Sequence, residues 1–186
     1  MRASHIVAFL TLVLATGLSL SCTAGNDSAD MEAAVILGAE VRQGPADVDV
    51  SVPIDVTIGQ LQITSKAKSP GTVLSQQQDV HITEWVVTCT RTDGGTVASP
   101  VWRNYYTVYV PAGSSATLQN YRIFPSEYFL QPPLNQLFPE NGGLDKETGQ
   151  RNIRQRLTIE LFGKTVSGER VTYSFPVNLN FFYVTP

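Results

Sequence analysis

Seven apolar side chains fall at every second position near the end of this chain: Val171, Tyr173, Phe175, Val177, Leu179, Phe181 and Tyr183. Between them stand Thr172, Ser174, Pro176, Asn178, Asn180, Phe182 and Val184. A helix would scatter the first set around its circumference. A strand turns successive residues to opposite faces and gathers all seven on one. The series therefore predicts a half-buried strand, and with it a sheet that offers one apolar face to a core. Pro176 belongs to the outward set. It has no N–H for a ladder, so this strand is expected to lie at a sheet edge or to be broken or bulged there.

The preceding segment repeats the pattern. Ile153, Leu157, Ile159 and Leu161 alternate with Arg154, Arg156, Thr158 and Glu160, and residues 163–169 read as a hairpin loop joining the two strands. Trp85, Val87 and Cys89 mark a third strand, closed by the turn sequence Thr92-Asp93-Gly94-Gly95. Residues 101–110 and 116–124 read as two more, and the N-terminal half adds 34–41, 47–56 and 59–65. The last two are either separate strands or one bent strand. Ser126 is placed to cap a single helical turn over 127–130, stopped by Pro132-Pro133. Residues 140–149 read as an exposed loop. Seven to nine short strands without a long amphipathic helix predict an all-β fold, an antiparallel immunoglobulin-like sandwich.

The N-terminal segment has a different layout. Arg2 precedes an apolar run from Ile6 to Leu14, and small residues lead through Leu20-Ser21 into Cys22. This is the arrangement of a secretory signal. A cysteine at that point resembles the lipobox of bacterial lipoproteins, although Ser19 stands where that family usually has a large aliphatic residue. The resemblance implies cleavage before Cys22, acylation of its thiol and new amino group, and palmitate as one of the acyl chains. Thr23, a non-aspartate residue, implies sorting to the outer membrane in a diderm host. Two alternatives compete: an ordinary cleaved signal with a coincidental cysteine, and a transmembrane helix. The apolar run of about 15 residues falls short of the roughly 20 that a span requires. The expected organisation is a signal peptide at 1–21, a lipid-anchored polar tether at 22–32 and a β-sandwich domain at 33–186. The lipobox, together with Thr90-Arg91-Thr92-Asp93-Gly94-Gly95 and Val110-Pro111-Ala112-Gly113, resembles uncharacterised bacterial lipoproteins with one β-sandwich domain. That family implies no known activity.

Composition excludes more than it assigns. The net charge of −3 gives no sign of a nucleic-acid partner or of an anionic membrane surface. Beyond the leader the chain has one histidine, His81, and one cysteine other than Cys22, Cys89. A zinc site needs clustered Cys and His ligands, and a thiol nucleophile needs a basic neighbour. Neither is suggested, nor is there a nucleophile elbow, phosphate loop or dinucleotide fingerprint. No disulfide, no cofactor and no enzymatic activity are expected. Cys89 reads as a small buried hydrophobe.

Two groups remain as candidates. Asp47 and Asp49 share one strand face, and paired carboxylates at a sandwich edge suit calcium. The plainer alternative is an acidic outer face alternating with Val48, Val50 and Val52. Trp102, Tyr105, Tyr106 and Tyr109 are the other group. Alternation sets Trp102 and Tyr106 opposite Tyr105 and Tyr109, so one pair is a candidate platform for a glycan or a protein, unless loops cover both faces. The expectation is a non-catalytic, lipid-anchored envelope protein acting as a binding or structural module. The alternative is an accessory subunit of a secretion, adhesion or envelope assembly, docked through a sheet edge.

Overall fold

The computed structural model describes residues 32–184. The leader, Cys22 and all but the last residue of the tether lie outside them, as do residues 185–186. The described chain is all-β, with nine strands in two facing sheets, the antiparallel immunoglobulin-like sandwich that the strand spacing predicts. In chain order the strands are β1 (Val35–Gln43), β2 (Asp47–Asp49), β3 (Val56–Ala67), β4 (Val80–Arg91), β5 (Trp102–Asn104), β6 (Val108–Val110), β7 (Ser115–Phe124), β8 (Asn152–Thr165) and β9 (Arg170–Phe182). One sheet runs β1–β3–β7. The other runs β2–β9–β8–β4, with β5 and β6 both on the free side of β4. No helix among the described residues is long and apolar enough to cross a membrane.

The β8–β9 hairpin is the sandwich's longest continuous ladder, pairing Asn152 with Phe182 through to Lys164 with Arg170 without a shift. Val171, Phe175, Val177, Leu179 and Phe181 are buried as the alternation requires, and Tyr173 and Tyr183 are partly buried. Pro176 is indeed at an edge, because β2 covers β9 only at residues 180–182 and does so in parallel. β2 and β3 are separate strands in different sheets. On β8 the inward series continues through Gln155, fully buried, whose amide donates to Ser99 Oγ at 2.9 Å and accepts from Ser99 N at 3.1 Å. A buried amide paired on both sides avoids the cost of an unsatisfied polar group. Gly163 lies against β4, where a Cβ would stand 2.6 Å from the carbonyl oxygen of His81. Beside it β4 carries a register shift between Ile82 and Glu84.

The smaller sheet breaks strict alternation at one level. In β3, Val56 and Ile58 face the core, then Leu61, Ile63 and Ser65. In β7, Ala116 and Leu118 pack inward, then Tyr121 and Ile123. The slip occurs opposite Gly59, at Asn120, which has φ of 49°. Asparagine is among the few side chains that tolerate the left-handed region, so the strand reverses its facing there with little strain. As a result Gln119 and Asn120 are both exposed.

Three sequence expectations need correction. Residues 101–110 are not one strand: β5 and β6 pair with different stretches of β4, and residues 105–107 lie outside the ladder. Ser126 caps nothing with its side chain. The 3-10 turn Ser126–Leu130 follows Pro125, and Ser126 N donates to Asp55 Oδ1 at 2.8 Å. Residues 140–149 are not simply an exposed loop, since Asp145 is fully buried.

The sandwich has two distinct ends. Val35 pairs with Ala67, and Val80 with Val110 and Thr165, so the chain enters the domain at the end that also carries the β8–β9 turn. Arg91, Phe124 and Phe182 lie at the opposite end, with the loops over 92–101 and 125–151.

Candidate functional site

The slip at Asn120 builds the wall of a groove. Opposite β7 stand Asn104, the last residue of β5, and Tyr106, in the segment that leaves the β4 ladder. Together with Thr117, Leu118, Gln119, Asn120, Tyr121 and Arg122 they enclose a cleft of about 370 Å³. The floor is aromatic. Tyr121 packs on Trp85 with ring centroids 4.3 Å apart, and Tyr106 stands 5.8 Å from Tyr121. Trp85 is fully buried and donates its indole N–H to the Tyr106 carbonyl at 2.9 Å, which fixes the segment that has left the ladder. Asn104 Nδ2 donates to the Tyr121 hydroxyl at 3.2 Å. Burial pushes the Tyr121 phenol above its ordinary range, keeping it neutral. Arg122 closes one end, lying 5.0 Å over the Trp102 ring and donating to Asp55 Oδ2 at 2.9 Å.

The four candidate aromatics do not form one platform. Trp102 belongs to the core beneath Arg122. Tyr106 shares its strand parity but lies half exposed, because residues 105–107 have left the ladder. Tyr105 is the most open at 75%. Tyr109 sits near the opposite end, donating its hydroxyl to Asp79 and standing 5.2 Å from the His81 ring. The hydrogen bond to Asp79 raises the Tyr109 phenol, while donors from Ala112 N and Tyr109 lower the Asp79 carboxyl. Only Tyr106 of the four lines the groove. The groove's other polar residues were missed by sequence reading, because the slip that turns Gln119 and Asn120 outward carries no glycine or proline within β7.

The candidate aspartates have ordinary structural partners. Asp47 accepts from Asn180 Nδ2 at 2.9 Å, and Asp49 from the backbone of Ser51 and Val184. Burial works to raise Asp49, but the Ser51 side chain and these backbone donors outweigh it and lower its carboxyl. Among the described residues no three His, Cys, Asp or Glu side chains are arranged to hold a metal ion. Cys89 is free and buried, and burial pushes its thiol up to about 12, so the thiolate is suppressed. Cys22 lies outside the described residues.

Sequence reading also missed a buried ionic cluster inside the turn 90–95. The Arg91 side chain is 1% exposed and meets three carboxylates. Its Nε donates to Asp93 at 2.8 Å, one terminal nitrogen to Asp145 at 2.7 Å and the other to Glu147 at 3.4 Å. Asp93 also accepts from Gly95 N and Arg154 N, Asp145 from Thr148, and Glu147 from the backbone of Thr96 and Val97. Burial alone would raise Asp93 and Asp145, but Arg91 and these donors hold both below the ordinary carboxyl range. Glu147 is lowered by the Thr96 hydroxyl and the two backbone donors. A Cβ at Gly95 would collide with the guanidinium, so only glycine leaves room for it. Arg91 and the donors around it join two loops to β4, with one buried oxygen, Asp145 Oδ1, left without a partner, and the cluster is a structural clamp.

No family model matches the chain, and a search of curated proteins finds no match. Among solved structures it is similar to the major subunit of aggregative adherence fimbriae type I from Escherichia coli, at 11% identity. That likeness covers 81% of this chain and 94% of the other, with a TM-score of 0.26. At that score it carries no argument about fold or function.

Proposed function

We propose that this chain is a non-catalytic binding module of the bacterial cell envelope, held at the membrane through lipid on Cys22. Its contact surface is the groove between residues 104–106 and β7. The observation that supports this reading best is the groove's chemistry. Half-exposed Tyr106 borders a row of planar polar groups on Asn104, Gln119, Asn120 and Arg122. A sugar ring has a C–H face that stacks on an aromatic and a rim of hydroxyls that bond to amides and guanidinium. The volume falls in the range of small-ligand clefts, about 300–1,000 Å³. Arg122 and Asp55 place the groove in the half of the sandwich away from the start of β1, so a chain anchored through its N-terminal segment would hold it clear of the membrane.

Two measurements test the reading. Cys22→Ser should abolish palmitate labelling and move the protein out of the membrane fraction; unchanged labelling removes the anchor. A pull-down from detergent-solubilised membranes, paired with a glycan array, tests the module. Glycan capture lost in Tyr106→Ala supports it, whereas a stable stoichiometric protein complex favours the accessory-subunit alternative.

A further inference from the structure

Cross-strand register assembles a row that no local stretch of sequence contains. At the end where the chain enters the domain, Tyr109 of β6 pairs with His81 of β4, His81 with Lys164 of β8, and Lys164 with Arg170 of β9. Register partners point to the same face, and all four side chains are exposed on the outside of the larger sheet. Like charges placed directly opposite are destabilising in a sheet, yet Lys164 and Arg170 face each other with no carboxylate in ion-pair reach among the described residues. The nearest acids are engaged elsewhere. Asp79 accepts from Tyr109 and from Ala112 N, and Glu169 is tied to the Thr165 hydroxyl. Lys66, exposed on the smaller sheet, lies at the same end, since it pairs with Ile36. Val166, half exposed, extends the rim beyond Lys164.

We propose that this rim is a docking surface for the anionic phosphate headgroups of a lipid bilayer. Charge complementarity selects the occupant. Two adjacent cations without internal partners are relieved by phosphates, and the valine beside them suits the headgroup–acyl boundary. Position agrees, because β1 begins at this end and the segment before it is the only covalent route to Cys22. The net charge of the whole chain conceals the rim, since it also counts carboxylates such as Asp47, Asp49, Asp55 and Glu140, which lie at the other end. The inference goes beyond the acyl anchor and is tested without it.

The test uses the Cys22→Ser chain, which carries no acyl group, on vesicles of phosphatidylcholine with and without phosphatidylglycerol. Binding should require phosphatidylglycerol and fade at high salt. Each cation removed should weaken it roughly fivefold, so Lys164→Gln with Arg170→Gln should weaken it roughly twenty- to thirtyfold. Arg154→Gln with Arg156→Gln removes two exposed arginines from the same sheet face at the opposite end and should leave binding unchanged. Binding that ignores phosphatidylglycerol, or that falls equally in both pairs, overturns the proposal. So does heparin binding without vesicle binding, which would assign the rim to a soluble polyanion. Palmitate labelling of the unmodified chain reports separately on Cys22, so either idea can fail alone.

Discussion

The two ends of the sandwich use charge in opposite ways. At the far end one guanidinium is buried among three carboxylates, each held by further donors. At the near end two cations stand side by side in water with no carboxylate between them among the described residues. The first arrangement has a structural explanation, because a buried charge is tolerated only when it is paired and hydrogen-bonded. The second has none within the fold, since exposed cations gain nothing from one another. Burial is what separates them: the same residue types that close loops in one place cost a little stability in the other.

Removing Arg91 tests the buried side most severely. Arg91→Met keeps the stem but leaves three carboxylates facing one another, and should cost about 3–5 kcal/mol in denaturant unfolding. A loss within about 0.5 kcal/mol, the usual range of surface substitutions, would show that the two ends do not differ in kind. Acid should act more gradually. The carboxyls of Asp93, Asp145 and Glu147 are lowered in the folded chain, so their contribution is complete above the unfolded value of about 4. It is then lost as pH falls through that value toward their lower folded ones. Denaturation midpoints followed downward from about pH 5 should drop more steeply in the parent chain than in Arg91→Met, where crowded carboxylates gain from protonation. Equal slopes would detach the acid response from the clamp. The smallest effect belongs to the near end. Lys164→Gln relieves a like-charge pair and should raise the unfolding free energy by a few tenths of a kcal/mol, about the size of such a pair. A clear loss would reveal a stabilising partner for Lys164 and remove the contrast.

How much was legible in the sequence follows the range of the signal. The β8–β9 hairpin is readable because period two runs through residues 153–161 and 171–183, and the missing N–H of Pro176 leaves an edge, a break or a bulge, of which the structure has the edge. The break at residues 105–107 left no mark, since Tyr105, Tyr106 and Thr107 are all good strand residues. Their departure depends on the register of β4. The slip at Asn120 was hidden for the same reason. Arg91, Asp93 and the glycines were seen as a turn, but the partners that make them a clamp lie more than fifty residues later. Of the groove, only Tyr106 stands out in the sequence. The rim at Tyr109, His81, Lys164 and Arg170 needs three pairings, and pairings are what a single sequence does not state.

The direction of the chain through the sandwich has a mechanical consequence. β1 begins at one end and β9 finishes at the other, in different sheets. A pull applied between residues 35 and 182 therefore runs along the strand axes. Ladder hydrogen bonds lie across those axes, so such a load is shared by many of them at once instead of opening them one at a time. Tension applied in that way would cross the domain from one end to the other, with the groove between the two points of pull.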